Sequence, residues 1–472
     1  MRIRAALFPY SAKLFPAVKY MDSLNSNYEI KRIIAPNALS DIGKDAAYIL
    51  NLPDIGISIS SSLGERKDDW DTLITFDLDE LDSDLVSQQI SFIELALNTG
   101  KSVCYISSEN TPASIKALAK TYSDQMNIVN AVPDKINLVY SPENAIKPIQ
   151  SLVVLVGGLV DDSDVQSVLF GMDVFLKKAG HNTLVISDSP FGPLFGHFSL
   201  QHIISNTHID EYDKVCAINS QIYSWEKKYL PEVILIQAPD AFARYSNAAP
   251  TSFGIKSYML TQAVSIDHLI CCVPCEMAMQ EFLKAVSKDF KVRYGCSIDA
   301  VEISNAVIDS TSVTEKHRMS RTYTTLEDVD TYFNNHYSYP ESIPTFNVHK
   351  PNHVAALCDL LFQIAKLEAQ NDKPSVDLSN CLSNRETVTS KVLSILNIKF
   401  QVPKDSLTQD FWDSPLTGRP FFFSSELMVE LLLEIERTFH IIVSHEWLSN
   451  YRFNSISDII GILLAAEQNL NS

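Results

Sequence analysis

The stretch from Ser151 to Gly192, SLVVLVGGLVDDSDVQSVLFGMDVFLKKAGHNTLVISDSPFG, leaves the fold little freedom. It opens on an unbroken apolar run, Leu152–Val156, that reads as a buried strand and breaks at the pair Gly157-Gly158. A helix of apolar period follows over about Ser163–Ala179, Gly180 ends it, and Thr183–Ser187 reads as a second strand. A strand, a helix and a strand in this order make the parallel α/β unit.

The same grammar holds on both sides. Upstream, short apolar runs at Ile3–Tyr10, Ile30–Pro36, Ile55–Ser60, Thr72–Asp77 and Ser102–Ser107, with a helix at Leu85–Asn98, predict a first α/β domain over residues 1–145. Pro142 and Pro148 mark the connection. Downstream, strands are expected at Val233–Pro239 and His268–Pro274, a late one at Val301–Ile308, and helices at Ile255–Ala263, Met277–Val286 and His353–Gln370. These make a second α/β domain of 150–366. Residues 367–384, polar and without apolar period, read as a linker, and 385–472 as a small helical domain. The fold class is α/β: two Rossmann-like or P-loop-like parallel-sheet domains followed by a four-helix bundle. A chain of 472 residues is long enough for about three such units. There are no internal repeats.

Composition narrows the function. Lys plus Arg is 38 against 57 Asp plus Glu, a net charge of −19, which disfavours a general binder of phosphate backbones and suits a basic partner. No stretch approaches the ~20 apolar residues of a membrane span, and Pro9 interrupts the apolar start, so a cytoplasmic protein is expected. The eight cysteines, spread thinly, suit reduced thiols.

A strand that enters glycines and then a helix is where nucleotide folds hold phosphate. Setting Gly158 as the first glycine of a P-loop puts Ser163, Asp164 and Val165 where Gly, Lys and Ser/Thr belong. Asp161, Asp162 and Asp164 bring negative charge instead. They are expected to cap the helix; the minority alternative is a metal-assisted anion site on these three. Asp240, at the end of a strand, reads as a turn residue rather than a Walker-B carboxylate. The turn Phe8-Pro9-Tyr10-Ser11 after the first strand has no glycine, so a dinucleotide site is unsupported. Cys271, Cys272 and Cys275, with Cys296, could gather thiolates, but neighbours on a strand point to opposite faces, and buried structural thiols are the expected case. His197, His202 and His208 have no metal-ligand spacing. No nucleophile elbow or zinc-binding helix motif is present.

On the stretches ALFPYSAKLFPAVKYMDSL, GKDAAY, the segment from Val156 to Leu200, and PEVILIQAPDAFARYSNAAPTSFGIKSYMLTQAV, residues 1 to about 365 resemble a family of accessory proteins encoded beside radical SAM enzymes in bacteriocin-type peptide maturation systems. The resemblance implies a Rossmann-type domain joined to a P-loop-derived domain without its lysine, with the precursor peptide and the radical SAM maturase as partners. It transfers no active-site residue.

The C-terminal segment, through Val429–Ile441 and Ile456–Leu463, resembles an acyl or peptidyl carrier protein. That resemblance aligns Ser425 with the serine that carries phosphopantetheine. Here the motif is Ser424-Ser425-Glu426 in place of Asp-Ser-Leu, preceded by Phe421-Phe422-Phe423. The alternative is that Ser424 or Ser425 is a helix N-cap. Glu430, Glu434 and Glu436 would suit docking on a basic patch, and the phenylalanines are either an apolar anchor or core. Three functions are therefore open: a non-catalytic accessory factor, which leads; a carrier through Ser425; and a nucleotide-dependent enzyme with a phosphate site rebuilt around Gly157 and Gly158.

Overall fold

Strand β1 (Ile3–Leu7) sits at the centre of a six-stranded sheet with β2 (Tyr28–Ile34), β3 (Ile59–Ser60), β4 (Thr72–Phe76), β5 (Ser102–Ser107) and β6 (Met126–Asn130). All neighbours are parallel and the order is β3-β2-β1-β4-β5-β6, the 3-2-1-4-5-6 arrangement of Rossmann folds. The helices α1 (Phe15–Leu24), α2 (Ser83–Asn98) and α3 (Ala113–Thr121) accompany it. Phe8, Leu73, Ile93 and Tyr105 fill its core.

The computed structural model describes residues 2–25, 27–35, 41–63, 69–78, 83–107, 111–130, 146–161, 163–336, 343–350, 352–371, 385–439, 443 and 453–470. The chain divides into two units, Met1–Leu361 and Phe362–Ser472.

The second sheet lies in the same first unit. It is built from β7 (Leu152–Gly158), β8 (Thr183–Ile186), β9 (Val233–Gln237), β10 (His268–Pro274), β11 (Ile298–Ser304) and β14 (Thr345–Phe346), ordered β14-β11-β10-β7-β9-β8 and parallel throughout. Numbered within the domain this is 2-3-1-4-5-6, the Rossmann-like order with its second and third strands exchanged. A hairpin of β12 (Ala306–Ile308) and β13 (Arg321–Tyr323) stands apart. The helices are α4 (Val165–Lys178), α5 (Gly192–Phe195), α6 (Gln201–Ile204), α7 (Glu211–Tyr229), α8 (Ile255–Ala263), α9 (Gln280–Arg293), α10 (Ser310–Lys316), α11 (Leu326–His336) and α12 (His353–Asn371).

Three expectations need correction. The strand expected at Ile55–Ser60 shrinks to its last two residues because the Asp45 carboxylate takes the amides of Ile55, Gly56 and Ile57 at 2.8–3.1 Å, which removes them from any ladder. The strand expected at Val301–Ile308 is two elements: buried Asn305 turns the chain by donating to the carbonyls of Leu50 (2.6 Å) and Thr324 (3.0 Å). The helix expected at Met277–Val286 begins at Gln280, after a 3-10 turn over Cys275–Met277.

The second unit holds α13 (Arg385–Ile398), α14 (Ser425–Phe439) and α15 (Ile456–Leu470) around Val388, Val392, Leu396, Leu431, Ile435, Ile459 and Leu463. These are the three α-helices among its described residues beyond α12, so a four-helix bundle is not established; 440–442 and 444–452 lie outside the described residues. So does most of the expected linker, 372–384. Among the described residues no helix is long and apolar enough to cross a membrane.

Candidate functional site

Parallel sheets gather their loops at the carboxyl ends of their strands, and ligands of open α/β sheets bind there. Here the two sheets present these ends to one cleft of about 630 Å³. The turn after β1 contributes Ser11 and Lys13. The loops after β7, β8 and β9 contribute Gly158, Asp161, Asp164, Asp188, Gln237 and Asp240, and the β12–β13 hairpin adds Arg321 and Tyr323. A second chamber of about 590 Å³ adjoins it over the first sheet, lined by Pro9, Tyr10, Leu14, Ile49, Phe76 and Leu85. Ser11, Lys13 and Gln166 belong to both walls.

The glycine pair has two jobs. A Cβ on Gly157 would lie 2.6 Å from the Ala238 Cβ and collide with the Phe242 ring, so the first glycine lets β7 pack on the segment after β9. A Cβ on Gly158 would stand 2.5 Å from the Val160 carbonyl oxygen, so the second permits the tight turn. Only Gly158 lines the cleft. The loop beyond is filled by its own groups. Leu159 and Val160 are buried, the Leu159 amide donates to the Cys272 carbonyl (2.8 Å), and the Ser163 hydroxyl donates to the Val160 carbonyl (3.0 Å).

Asp164 does not cap α4 with its side chain as expected, although it stands at the N-cap position. One carboxylate oxygen accepts the Ser304 hydroxyl at 2.6 Å and the other faces His349 Nε2 at 3.5 Å, while Lys19 Nζ lies 3.3 Å from His349 Nδ1. Part-buried polar and cationic partners thus take the Asp164 carboxylate in place of the helix amides. Burial alone would raise the Asp164 carboxyl; His349, Ser304 and Lys19 hold it below its ordinary range. Burial lowers the Lys19 ammonium against the pull of Asp164. Glu302, fully buried beside this group, is pushed well above the usual carboxylate range by burial first and the Asp164 charge second, with the Val348 backbone opposing. It is held neutral.

Asp161 accepts the Ser252 hydroxyl at 2.7 Å through Oδ1, while its buried Oδ2 has no partner. Asp162 lies outside the described residues. Asp188 is raised by burial, opposed by hydrogen bonds from Gln237 and Gln166. Asp240 does what a turn aspartate does: it caps α8 from outside the helix, taking the amides of Ser257 (2.8 Å) and Lys256 (3.2 Å).

Cys271, Cys272, Cys275 and Cys296 are buried and unbonded to one another as disulfides, and burial pushes each thiol up, to about 11 for Cys275 and Cys296. Cys381 lies outside the described residues. Among the described residues no three His, Cys, Asp or Glu side chains converge to hold a metal. His197 is buried against Asp173, which also takes Lys177 and Thr183. No spacing rule pointed to that group.

In the second unit Ser424 is the N-cap of α14: its hydroxyl accepts the Leu427 amide at 3.3 Å. Ser425 is the first helical residue, and its side chain lies outside the described residues. Phe421 and Phe423 are core, whereas Phe422 is 64% exposed at φ +52°. Glu434 pairs with Lys399 and Glu436 accepts the Val443 amide (2.8 Å), so of the three acids expected on a docking face only Glu430 stands on the surface without such a bond.

No protein-family profile matches the chain and no curated protein matches it. Among solved structures it is similar to a DUF1611 family protein from Anabaena variabilis, at 12% identity and a TM-score of 0.48, over 77% of this chain and 100% of that one. It is also similar to the signal recognition particle 54 kDa protein of Aeropyrum pernix in complex with GDP, at 10% identity and a TM-score of 0.25, over 81% of this chain and 88% of that one.

Proposed function

We propose that this chain is an accessory component of a ribosomally synthesised, bacteriocin-type peptide maturation system, and that its cleft holds a segment of the precursor peptide for the radical SAM maturase. The observation that carries the reading is the chemistry of the cleft. Its glycine turn is closed by Leu159, Val160 and Ser163, has no phosphate-loop lysine, and is ringed by Asp161, Asp164, Asp188 and Asp240. A triphosphate would meet like charges there at close range. Peptide N–H groups and basic side chains would meet acceptors. The resemblance of residues 1 to about 365 to maturation accessory proteins supports the same direction.

The test is capture of the full chain by the precursor peptide and by the maturase encoded beside it. Saturable binding of the precursor, displaced by unlabelled precursor, is expected. Binding to neither partner would end this reading.

A second reading keeps the carrier alternative: α14 opens at Ser425, the position that a carrier's attachment serine takes. Intact mass after incubation with coenzyme A and a broad phosphopantetheinyl transferase decides it.

A further inference from the structure

The two adjoining chambers differ in chemistry, and their difference specifies a ligand. The chamber over the first sheet is built from Tyr10, Leu14, Ile49, Phe76 and Leu85. Its Phe8–Tyr10 turn has no amide left for an anion. Pro9 has no amide hydrogen, the Phe8 amide donates to Ile74 and the Tyr10 amide to Ile34, and the Tyr10 hydroxyl is spent on the Ala46 carbonyl at 2.9 Å. What is left is apolar surface, which a hydrocarbon or aromatic group would cover.

The neighbouring chamber has the opposite deficit. Asp161 Oδ2 and Gln166 Oε1 are buried acceptors with no donor, and the Ser167 hydroxyl, 1% exposed, has no partner either. Gln166 already presents its amide nitrogen to Asp188, so the oxygen is the end left over. Buried acceptors without donors are rare because their desolvation goes uncompensated. Two such acceptors beside further carboxylates call for a donor-rich cation. Lys13 and Arg321 also line the chamber, and neither donates a hydrogen bond to Asp161 Oδ2 or Gln166 Oε1.

We infer that the two chambers form one site for a peptide segment carrying an apolar side chain next to a lysine or arginine, with the apolar group over the first sheet and the cation at Asp161 and Gln166. The shared wall of Ser11, Lys13 and Gln166 keeps the two groups within the reach of neighbouring residues, whose α-carbons stand ~3.8 Å apart. This rests on the peptide-binding reading and adds the sequence preference to it.

Fluorescence anisotropy of the full chain with labelled, end-capped peptides tests it: Gly-Gly-Phe-Lys-Gly-Gly against versions with Phe-Gln, Phe-Glu and Ser-Lys at the centre, and the native precursor alongside. The Phe-Lys peptide is expected to bind about tenfold tighter than each of the others. Asp161→Asn should bring Phe-Lys to within about twofold of Phe-Gln, and Ile49→Trp, which fills the apolar chamber, should weaken the Phe peptides and leave the Ser-Lys peptide unchanged. Both variants are first shown to melt like the parent, with Asp161→Ser and Leu85→Trp in reserve for the same two readouts. Equal affinities across the panel, or a lysine preference that survives loss of the Asp161 charge, overturn the inference. Precursor binding without panel discrimination removes the inference and leaves peptide binding standing; no binding of either removes both.

Discussion

The carboxylate of Asp164, at the start of α4, accepts the hydroxyl of Ser304, at the end of β11, at 2.6 Å across 140 residues of sequence. His349 and Lys19 complete the group, and Lys19 comes from α1 of the other sheet. A part-buried cluster of Asp164, Ser304, His349 and Lys19 therefore links the two α/β domains of the first unit.

Removing one member should expose the cost of the rest. Lys19→Met leaves part-buried Asp164 without its nearby cation, and we expect a loss of about 1 kcal/mol in urea unfolding. Asp164→Asn in the same background should restore part of it, because a neutral amide needs no cation. A double-mutant cycle with coupling near zero would show that the two residues act independently.

Glu302 gives a pH signature of the opposite sign to Asp164 and Asp173, whose partners hold their carboxyls low. Its folded-state pKa is raised by burial and by Asp164, so its contribution is intact below the unfolded value of about 4.3 and declines as pH rises towards the folded value, by about 1.4 kcal/mol per unit. Glu302→Gln removes that proton requirement. Urea midpoints from pH 5 to 8 should show the variant gaining on the parent as pH rises; parallel profiles would mean that Glu302 does not take up a proton on folding.

Local chemistry was legible in the sequence and partner chemistry was not. The order of strand and helix at β7–α4 is as expected, though the strand runs on through Gly157 and Gly158 instead of breaking at them, and α8 has the bounds that its pattern predicts, Ile255–Ala263. Strand β6 escaped notice because Met126–Asn130 alternates with asparagines at the sheet's edge. Helix α7 escaped because its polar surface outweighs the buried stripe of Cys216, Ile218, Ile222 and Trp225. The glycine loop was read as a phosphate cradle or a capped turn; its contents were decided by Cys272 and Ser304, more than a hundred residues on. Nothing in the spacing of Asp164, His349 and Lys19 marks them as one group.

Gly157→Ala tests whether the first glycine serves packing. The new methyl would sit 2.6 Å from the Ala238 Cβ and against the Phe242 ring, both in the core, so the sheet or the ring must move. A loss of about 3 kcal/mol is expected, at the upper end for overpacking. Phe242→Leu alongside it should recover part of that loss; no recovery would place the strain elsewhere.

The pair of Asp173 and His197 should make the first unit acid-sensitive. Burial lowers the imidazole's pKa, with Asp173 opposing, so the unfolded chain binds the extra proton below about pH 6.5 and stability falls as pH drops through that range. Burial would raise the Asp173 carboxyl, but His197 and Lys177 hold it low, so its contribution is lost at still lower pH. Both slopes have the same sign. His197→Gln should flatten the upper one, seen as a smaller drop in melting temperature between pH 7 and pH 5.5.

The two serines at the start of α14 separate by mutation. Ser424 accepts the Leu427 amide at 3.3 Å, the bond of an N-cap to the third helical residue. Ser424→Ala should therefore cost the second unit about 1 kcal/mol, read as faster hydrogen exchange in the first turn of α14. Ser425 is already inside the helix, where alanine is the better helix former, so Ser425→Ala should leave exchange unchanged or slower. The same two variants serve the carrier alternative. With coenzyme A and the transferase, the parent mass should stay unchanged, because the aspartate and apolar neighbour of a carrier serine are replaced by Ser424 and Glu426. A mass gain present in the parent and Ser424→Ala but absent in Ser425→Ala would establish the carrier instead.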